Sequence, residues 1–171
     1  MSELTLILGG VRAGKSDFAE KVAQVGNRIV YIATAEVLDE EMRKRIENHK
    51  RRRSPDWETI ESPDDLTESI RQIGSNVDVI IIDCLTVYIS NLLAKFSEEE
   101  ILKNVSEMLN VLNNFNGKTI FVSNEVGMGI VPDNKLARDY RDVLGRTNQM
   151  VAKAAKEVYL LVAGIPVKIK G

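Results

Sequence analysis

Five short runs along the chain are apolar at nearly every position: Leu4–Leu8, Ile29–Ala33, Val79–Ile82, Thr119–Ser123 and Val158–Val162. They lack the alternation of a half-exposed strand, so they read as strands buried on both faces, the habit of a parallel sheet. Between them, apolar side chains recur at helical spacing. Ser97–Phe115 is the clearest case. Ser97 and Glu100 form a capping box, Ile101, Val105, Met108, Leu109 and Leu112 form one stripe, and Gly117 follows the end. Ser62-Pro63-Asp64-Asp65 starts a second helix. Lys15–Val25 is a third, and Leu38, Met42, Ile46 and His49 lie on one face of a fourth. Asp133–Glu157 is a long run of helix formers with Gly145 as a candidate kink. Val158–Val162, Gly164-Ile165-Pro166 and Val167-Lys168-Ile169 predict a closing hairpin. Strand alternating with helix predicts one α/β domain over residues 1–171, a mostly parallel sheet flanked by helices. The pattern leaves the strand order open.

Composition narrows the function classes. An apolar content of 44% in 171 residues can fill one core, which excludes a disordered chain. The 23 basic and 25 acidic residues nearly cancel, which argues against a general nucleic-acid binder. Cys84 is the only cysteine and His49 the only histidine, so intrachain disulfides, four-cysteine zinc sites and histidine-rich metal sites are out. One free thiol fits a reducing, cytoplasmic setting. The longest apolar run, Val158–Ala163, is far short of the ~20 residues of a membrane span. Met1-Ser2-Glu3 has no basic leader, so no signal peptide is expected.

The first motif with chemistry in it is Gly9-Gly10-Val11-Arg12-Ala13-Gly14-Lys15-Ser16, a full match to G-x-x-x-x-G-K-[ST] between a strand and a helix. The glycines let successive backbone N–H groups turn inward onto phosphate oxygens, and the helix N-terminus adds its dipole. Lys15 is expected at the β- and γ-phosphates and Ser16 at Mg²⁺. The run Val79–Ile82 ends in Asp83, a carboxylate at the strand's C-terminal end that is expected to hold the Mg²⁺ or its water.

His49 can be read two ways. It is the edge of a packed helical stripe, or it is a nucleophile. Arg43, Lys44 and Arg45 precede it and Lys50, Arg51, Arg52 and Arg53 follow it. Such cations favour neutral imidazole, the form that attacks phosphorus, and they attract a polyphosphate. The same run also fits a solvated face or a nucleic-acid patch.

Five blocks occur together: residues 9–16, Tyr31-Ile32-Ala33-Thr34-Ala35, Arg45-Ile46-Glu47-Asn48-His49, Asn124 to Pro132, and Gly145-Arg146-Thr147-Asn148-Gln149. In that order they resemble the bifunctional adenosylcobinamide kinase / adenosylcobinamide-phosphate guanylyltransferase family over nearly the whole chain. The resemblance implies a RecA-like P-loop fold and two reactions. ATP or GTP phosphorylates the aminopropanol arm of adenosylcobinamide. GTP then guanylylates a histidine, which passes GMP to the cobinamide phosphate to give adenosylcobinamide-GDP. It also implies a homotrimer with sites near subunit boundaries. The nucleophile carries over to His49 and the nucleotide loop to residues 9–16. Thr34, Ala35 and Glu36 after the second strand are expected at the nucleotide, with Arg51, Arg52, Arg53 and Glu61 as further contacts. Many members carry a second histidine before the nucleophile, where this chain has Asn48, so His49 alone is available. Many end the Val79–Ile82 strand on glutamate; Asp83 is one methylene shorter.

Several residues keep open roles at this stage. Glu125 is a ligand, a subunit contact or a turn residue. Arg138, Arg141 and Arg146 are corrinoid phosphate contacts, subunit salt bridges or solvated side chains. Two rival functions also stand beside the resemblance. A P-loop kinase of another small metabolite would form no covalent enzyme–GMP. A RecA-like, nucleotide-gated binding module would use the basic 43–53 segment, though 5% aromatic residues offer few stacking platforms.

Overall fold

The computed structural model describes residues 2–36, 40–52 and 54–171, the side chains of 41, 42, 45, 48, 49 and 52 excepted. The five apolar runs are strands: β1 (Glu3–Gly9), β2 (Ile29–Ala33), β4 (Val79–Asp83), β5 (Lys118–Asn124) and β6 (Glu157–Val162). Among the described residues two more join the sheet, β3 (Glu58–Glu61) and β7 (Ile165–Lys170). The order across it is β3-β2-β4-β5-β1-β6-β7. Every pairing is parallel except β6 with β7, the expected hairpin at one edge.

Among the described residues, six helices connect the strands: α1 (Lys15–Ala23), α2 (Glu40–Arg52), α3 (Leu66–Arg71), α4 (Leu85–Leu93), α5 (Glu98–Leu112) and α6 (Lys135–Ala154). Alternate strand residues feed two cores. Leu4, Leu6, Ile80, Ile82 and Phe121 pack with α3, α4, α5 and α6. Ile7, Tyr31, Val79, Ile81, Ile120 and Val122 pack with Ala19 and Ala23 of α1. Burial on both faces is why these strands show no polar alternation.

The capping box is formed as expected, with Ser97 accepting from Glu100 N and the Glu100 side chain accepting from Ser97 N. The helix after Ser62 starts later than the sequence suggests: Asp65 caps it, accepting from Glu68 N at 3.0 Å, and Pro63 lies outside. The last helix runs unbroken through Gly145 and stops at Ala154, because Glu157 already belongs to β6. Two elements go unannounced in the sequence. β3 is a short, largely exposed edge strand with only Ile60 partly buried. α4 follows β4 with no side-chain cap, and its residues are apolar at most positions, so no amphipathic stripe marks it.

Candidate nucleotide site

The loop from Gly9 to Ser16 leaves the C-terminal end of β1 and enters α1. Its glycines answer local needs. A Cβ at Gly9 would stand 2.7 Å from the Leu161 carbonyl oxygen on β6, so the strand passes there only without a side chain. Gly14 caps α1 at φ 87°, the left-handed region that favours glycine. Gly164, in the β6–β7 turn, donates its N–H to the Ala13 carbonyl at 3.1 Å, so the C-terminal hairpin braces the loop. Gly10, Val11 and Arg12 are exposed at the loop's outer edge, while Ala13 is buried beneath it. Lys15 Nζ donates to the Gly10 carbonyl at 2.6 Å, which holds the ammonium within the loop's own curve. Burial lowers the Lys15 pKa, while the nearby Cys84 and Asp83 act in the opposite sense.

Asp83 ends β4, two strands from β1. Ser16 Oγ donates to Asp83 Oδ2 at 2.7 Å, and Tyr31 OH donates to the same oxygen at 2.7 Å. The structure therefore joins the loop's hydroxyl to the strand-end carboxylate expected to share its metal. Mg²⁺ in nucleotide sites takes oxygen ligands, with phosphate and water filling most positions. Ser16 and Asp83 fit that donor set. Among the described residues no group of three or more His, Cys, Asp and Glu offers an all-protein cage.

Beside Asp83, Thr34, one of the residues expected at the nucleotide, turns its hydroxyl to the backbone of Cys84. It is wholly buried. Its hydroxyl donates to the Cys84 carbonyl at 2.8 Å and accepts from Cys84 N at 2.8 Å, stapling β2 to the chain leaving β4. The Thr34 carbonyl accepts from Asn91 Nδ2 of α4 at 3.0 Å. Ala35 is half-buried and Glu36 exposed just beyond. Burial pushes the Cys84 thiol up to about 11, with the Asp83 charge adding to the rise, so it is a neutral neighbour of the site.

His49 lies in α2, and its side chain, like that of Arg52, falls outside the described residues, as do Leu38 and Arg53 entirely. Arg51 is exposed. Lys50 Nζ pairs with Glu61 at 2.8 Å, tying the last turn of α2 to β3. Lys50 and Glu61 line an open depression with Ser54, Pro55, Trp57 and Thr59.

Three of the four residues with open roles now have partners. Glu125 Oε1 accepts from Gly127 N at 2.8 Å, a local turn. Arg138 donates to the Pro132 and Asp133 carbonyls at the start of α6. Arg146 pairs with Glu98 at 2.5 Å. Arg141 keeps a buried Nη1 with no partner among the described residues. The sequence reading missed Thr86 and Asn148, which hold the two backbone groups of Asn124. Asn124 N donates to Thr86 Oγ1 at 2.7 Å, and Asn148 Nδ2 donates to the Asn124 carbonyl at 3.1 Å. Asn148 sits in the 145–149 block, so that block was visible while its task was not.

Comparison with known proteins agrees with the geometry. The bifunctional adenosylcobalamin biosynthesis protein CobU of Escherichia coli is 38% identical, over 98% of this chain and 99% of its own. CobP of Pseudomonas aeruginosa, which carries the same description, is 39% identical over 97% of this chain and 96% of its own. Among solved structures, the RadB recombinase superposes with a TM-score of 0.54 at 15% identity, over 92% of this chain and 73% of that one. That likeness concerns the fold alone and bears out the RecA-like P-loop expectation. The family profile described as cobinamide kinase / cobinamide phosphate guanyltransferase matches residues 5–169. A phosphate loop joined to its strand-end carboxylate, and likeness along nearly the full length, place one conclusion beyond the motif alone: the chain belongs to the cobinamide kinase / cobinamide phosphate guanyltransferase family of enzymes.

Proposed function

We propose that this enzyme works in adenosylcobalamin biosynthesis and makes adenosylcobinamide-GDP in two steps at the C-terminal edge of its sheet. The observation that supports the reading is the Ser16–Asp83 hydrogen bond, which brings the hydroxyl after β1 and the carboxylate at the end of β4 together at that edge. In the first step the hydroxyl of the aminopropanol arm attacks the γ-phosphorus of ATP or GTP. The bond to the β-phosphate oxygen breaks and the nucleoside diphosphate leaves. Phosphoryl transfer of this kind needs positioning and charge more than a protein nucleophile. Loop amides and Lys15 supply both, and Ser16 and Asp83 would hold Mg²⁺, which offsets phosphate charge when bound with the nucleotide.

In the second step an imidazole nitrogen of His49 attacks the α-phosphorus of GTP and pyrophosphate leaves. A phosphate oxygen of the cobinamide phosphate then displaces the imidazole and takes the GMP. Splitting the transfer gives each acceptor its own in-line attack. The assignment of His49 rests on the family resemblance and on its being the only histidine. The resemblance also favours a homotrimer. The exposed side chains of Met128, Ile130, Val131 and Leu136 are apolar surface that such an assembly would cover. A lone free cysteine fits a cytoplasmic enzyme.

The test is covalent labelling. GTP labelled at the α-phosphate should mark the protein and GTP labelled at the γ-phosphate should not. The bond should be acid-labile and base-stable, as phosphorus on nitrogen is. His49→Ala should take no label and keep cobinamide phosphorylation. Labelling of that variant at the native rate removes His49 as the nucleophile.

A further inference from the structure

We propose that Asn124 contacts the transferred phosphate: its side-chain amide donates a hydrogen bond to the γ-phosphate of the bound nucleoside triphosphate. The inference rests on the triphosphate site proposed above and adds to it a residue from a third strand.

The argument starts from strand order. β5 lies between β1, which carries the phosphate loop, and β4, which carries Asp83. Side chains on a strand alternate between faces. On the face that packs against α1, β4 presents Val79 and Ile81 and then Asp83, while β5 presents Ile120 and Val122. The next position on that face of β5 is Asn124. Val122 is level with Asp83, and Asn124 is level with Gly9, where the phosphate loop begins. Asn124 therefore stands one side-chain row, ~7 Å, beyond Asp83 in the strand direction, beside the loop.

Its backbone is held on both sides. Thr86 of α4 accepts from its N–H at 2.7 Å, Asn148 of α6 donates to its carbonyl at 3.1 Å, and Tyr140 OH donates to the Thr86 carbonyl at 3.2 Å. The next residue, Glu125, donates its N–H to the Gly9 carbonyl at 3.2 Å and closes the link to the loop. Three elements thus fix one residue, and its half-buried side-chain amide has no hydrogen-bond partner among the described residues. Four other polar side chains at this edge are committed. Lys15 is on the Gly10 carbonyl, Ser16 and Tyr31 are on Asp83, and Thr34 is on Cys84. A half-buried amide held rigidly with no partner suits a ligand oxygen. An amide also adds a donor beside the triphosphate without the negative charge of a carboxylate.

The experiment compares the affinities of GDP and of the β,γ-imido analogue of GTP for the native protein, Asn124→Ala and Asn124→Asp. The unaltered backbone contacts predict native-like thermal unfolding of both variants. GDP affinity should stay near native. Analogue affinity should fall roughly 10- to 100-fold in Asn124→Ala, the size of one hydrogen bond to a charged group. It should fall further in Asn124→Asp, where a carboxylate meets the phosphate. If one variant fails to fold, the other carries the comparison. An analogue-to-GDP ratio in the folded variants equal to the native ratio overturns the proposal. The readout needs no corrinoid, so it is separate from the choice of acceptor, which phosphorylation of cobinamide by the native protein tests.

Discussion

Replacing Thr34 with valine tests whether this residue holds the site together or touches the nucleotide. Valine keeps the shape and removes the hydroxyl. That hydroxyl makes two hydrogen bonds of 2.8 Å, one to the carbonyl and one from the N–H of Cys84. Thr34 is wholly buried, so water does not replace the lost oxygen from its side. Each unsatisfied buried polar group costs ~1–3 kcal/mol, and Cys84 is only partly buried, so ~3 kcal/mol for the pair is reasonable. For a chain of this size ~3 kcal/mol lowers the melting temperature by roughly 6–12 °C. Thr34→Ser keeps both hydrogen bonds and loses one methyl, at a cost of ~1 kcal/mol. The assay is thermal unfolding by circular dichroism without nucleotide, paired with nucleotide affinity. Thr34→Val should melt well below Thr34→Ser. Equal melting temperatures for the two, with a large difference in nucleotide affinity, would refute the staple and return Thr34 to the nucleotide.

Lys15→Ala should lower both cobinamide phosphorylation and protein guanylylation ~10²–10³-fold, because the transferring phosphates lose their main counter-charge. Near-native phosphorylation would count against one shared phosphate-loop site. Asp83→Asn keeps an oxygen for the Ser16 and Tyr31 hydroxyls but removes the charge, so the fold should survive while the Mg²⁺ requirement rises. An unchanged Mg²⁺ titration would place the ion elsewhere. The Cys84 thiol, raised from its ordinary 9.0 to about 11, should react with iodoacetamide at pH 8 far more slowly in the native protein than in the denatured one. The shift corresponds to a thiolate fraction lower by roughly 100-fold. The same shift favours the folded state below pH 9 and loses that contribution as pH rises through 11. Equal alkylation rates would refute the burial.

The sequence alone carried the local chemistry. The phosphate loop is legible because its glycines, Lys15 and Ser16 are adjacent and each meets a backbone or phosphate need at its own position. The five buried strands are legible because burial on both faces leaves continuous apolar runs. The cap of α5 is legible because Ser97 and Glu100 satisfy each other within one turn. Resemblance then supplied the family, through blocks whose individual tasks the residues did not declare. Tertiary structure decided the rest. Thr34 reads as a nucleotide contact from its place after β2, yet strand order lays it against Cys84, 50 positions away, where its hydroxyl is consumed. β3 and α4 carry no clear period to read, because one is an exposed edge strand and the other a helix apolar at most positions. Asn124 opens one of the blocks that carry the resemblance, but the sequence does not declare its task. Its significance comes from β5 lying between β1 and β4, and from Thr86 and Asn148 closing on its backbone from two helices. Local spacing specifies what a loop or a cap can do. Which distant side chains share a sheet edge depends on the order in which strands pair, and pairing is settled by the packing of the whole core.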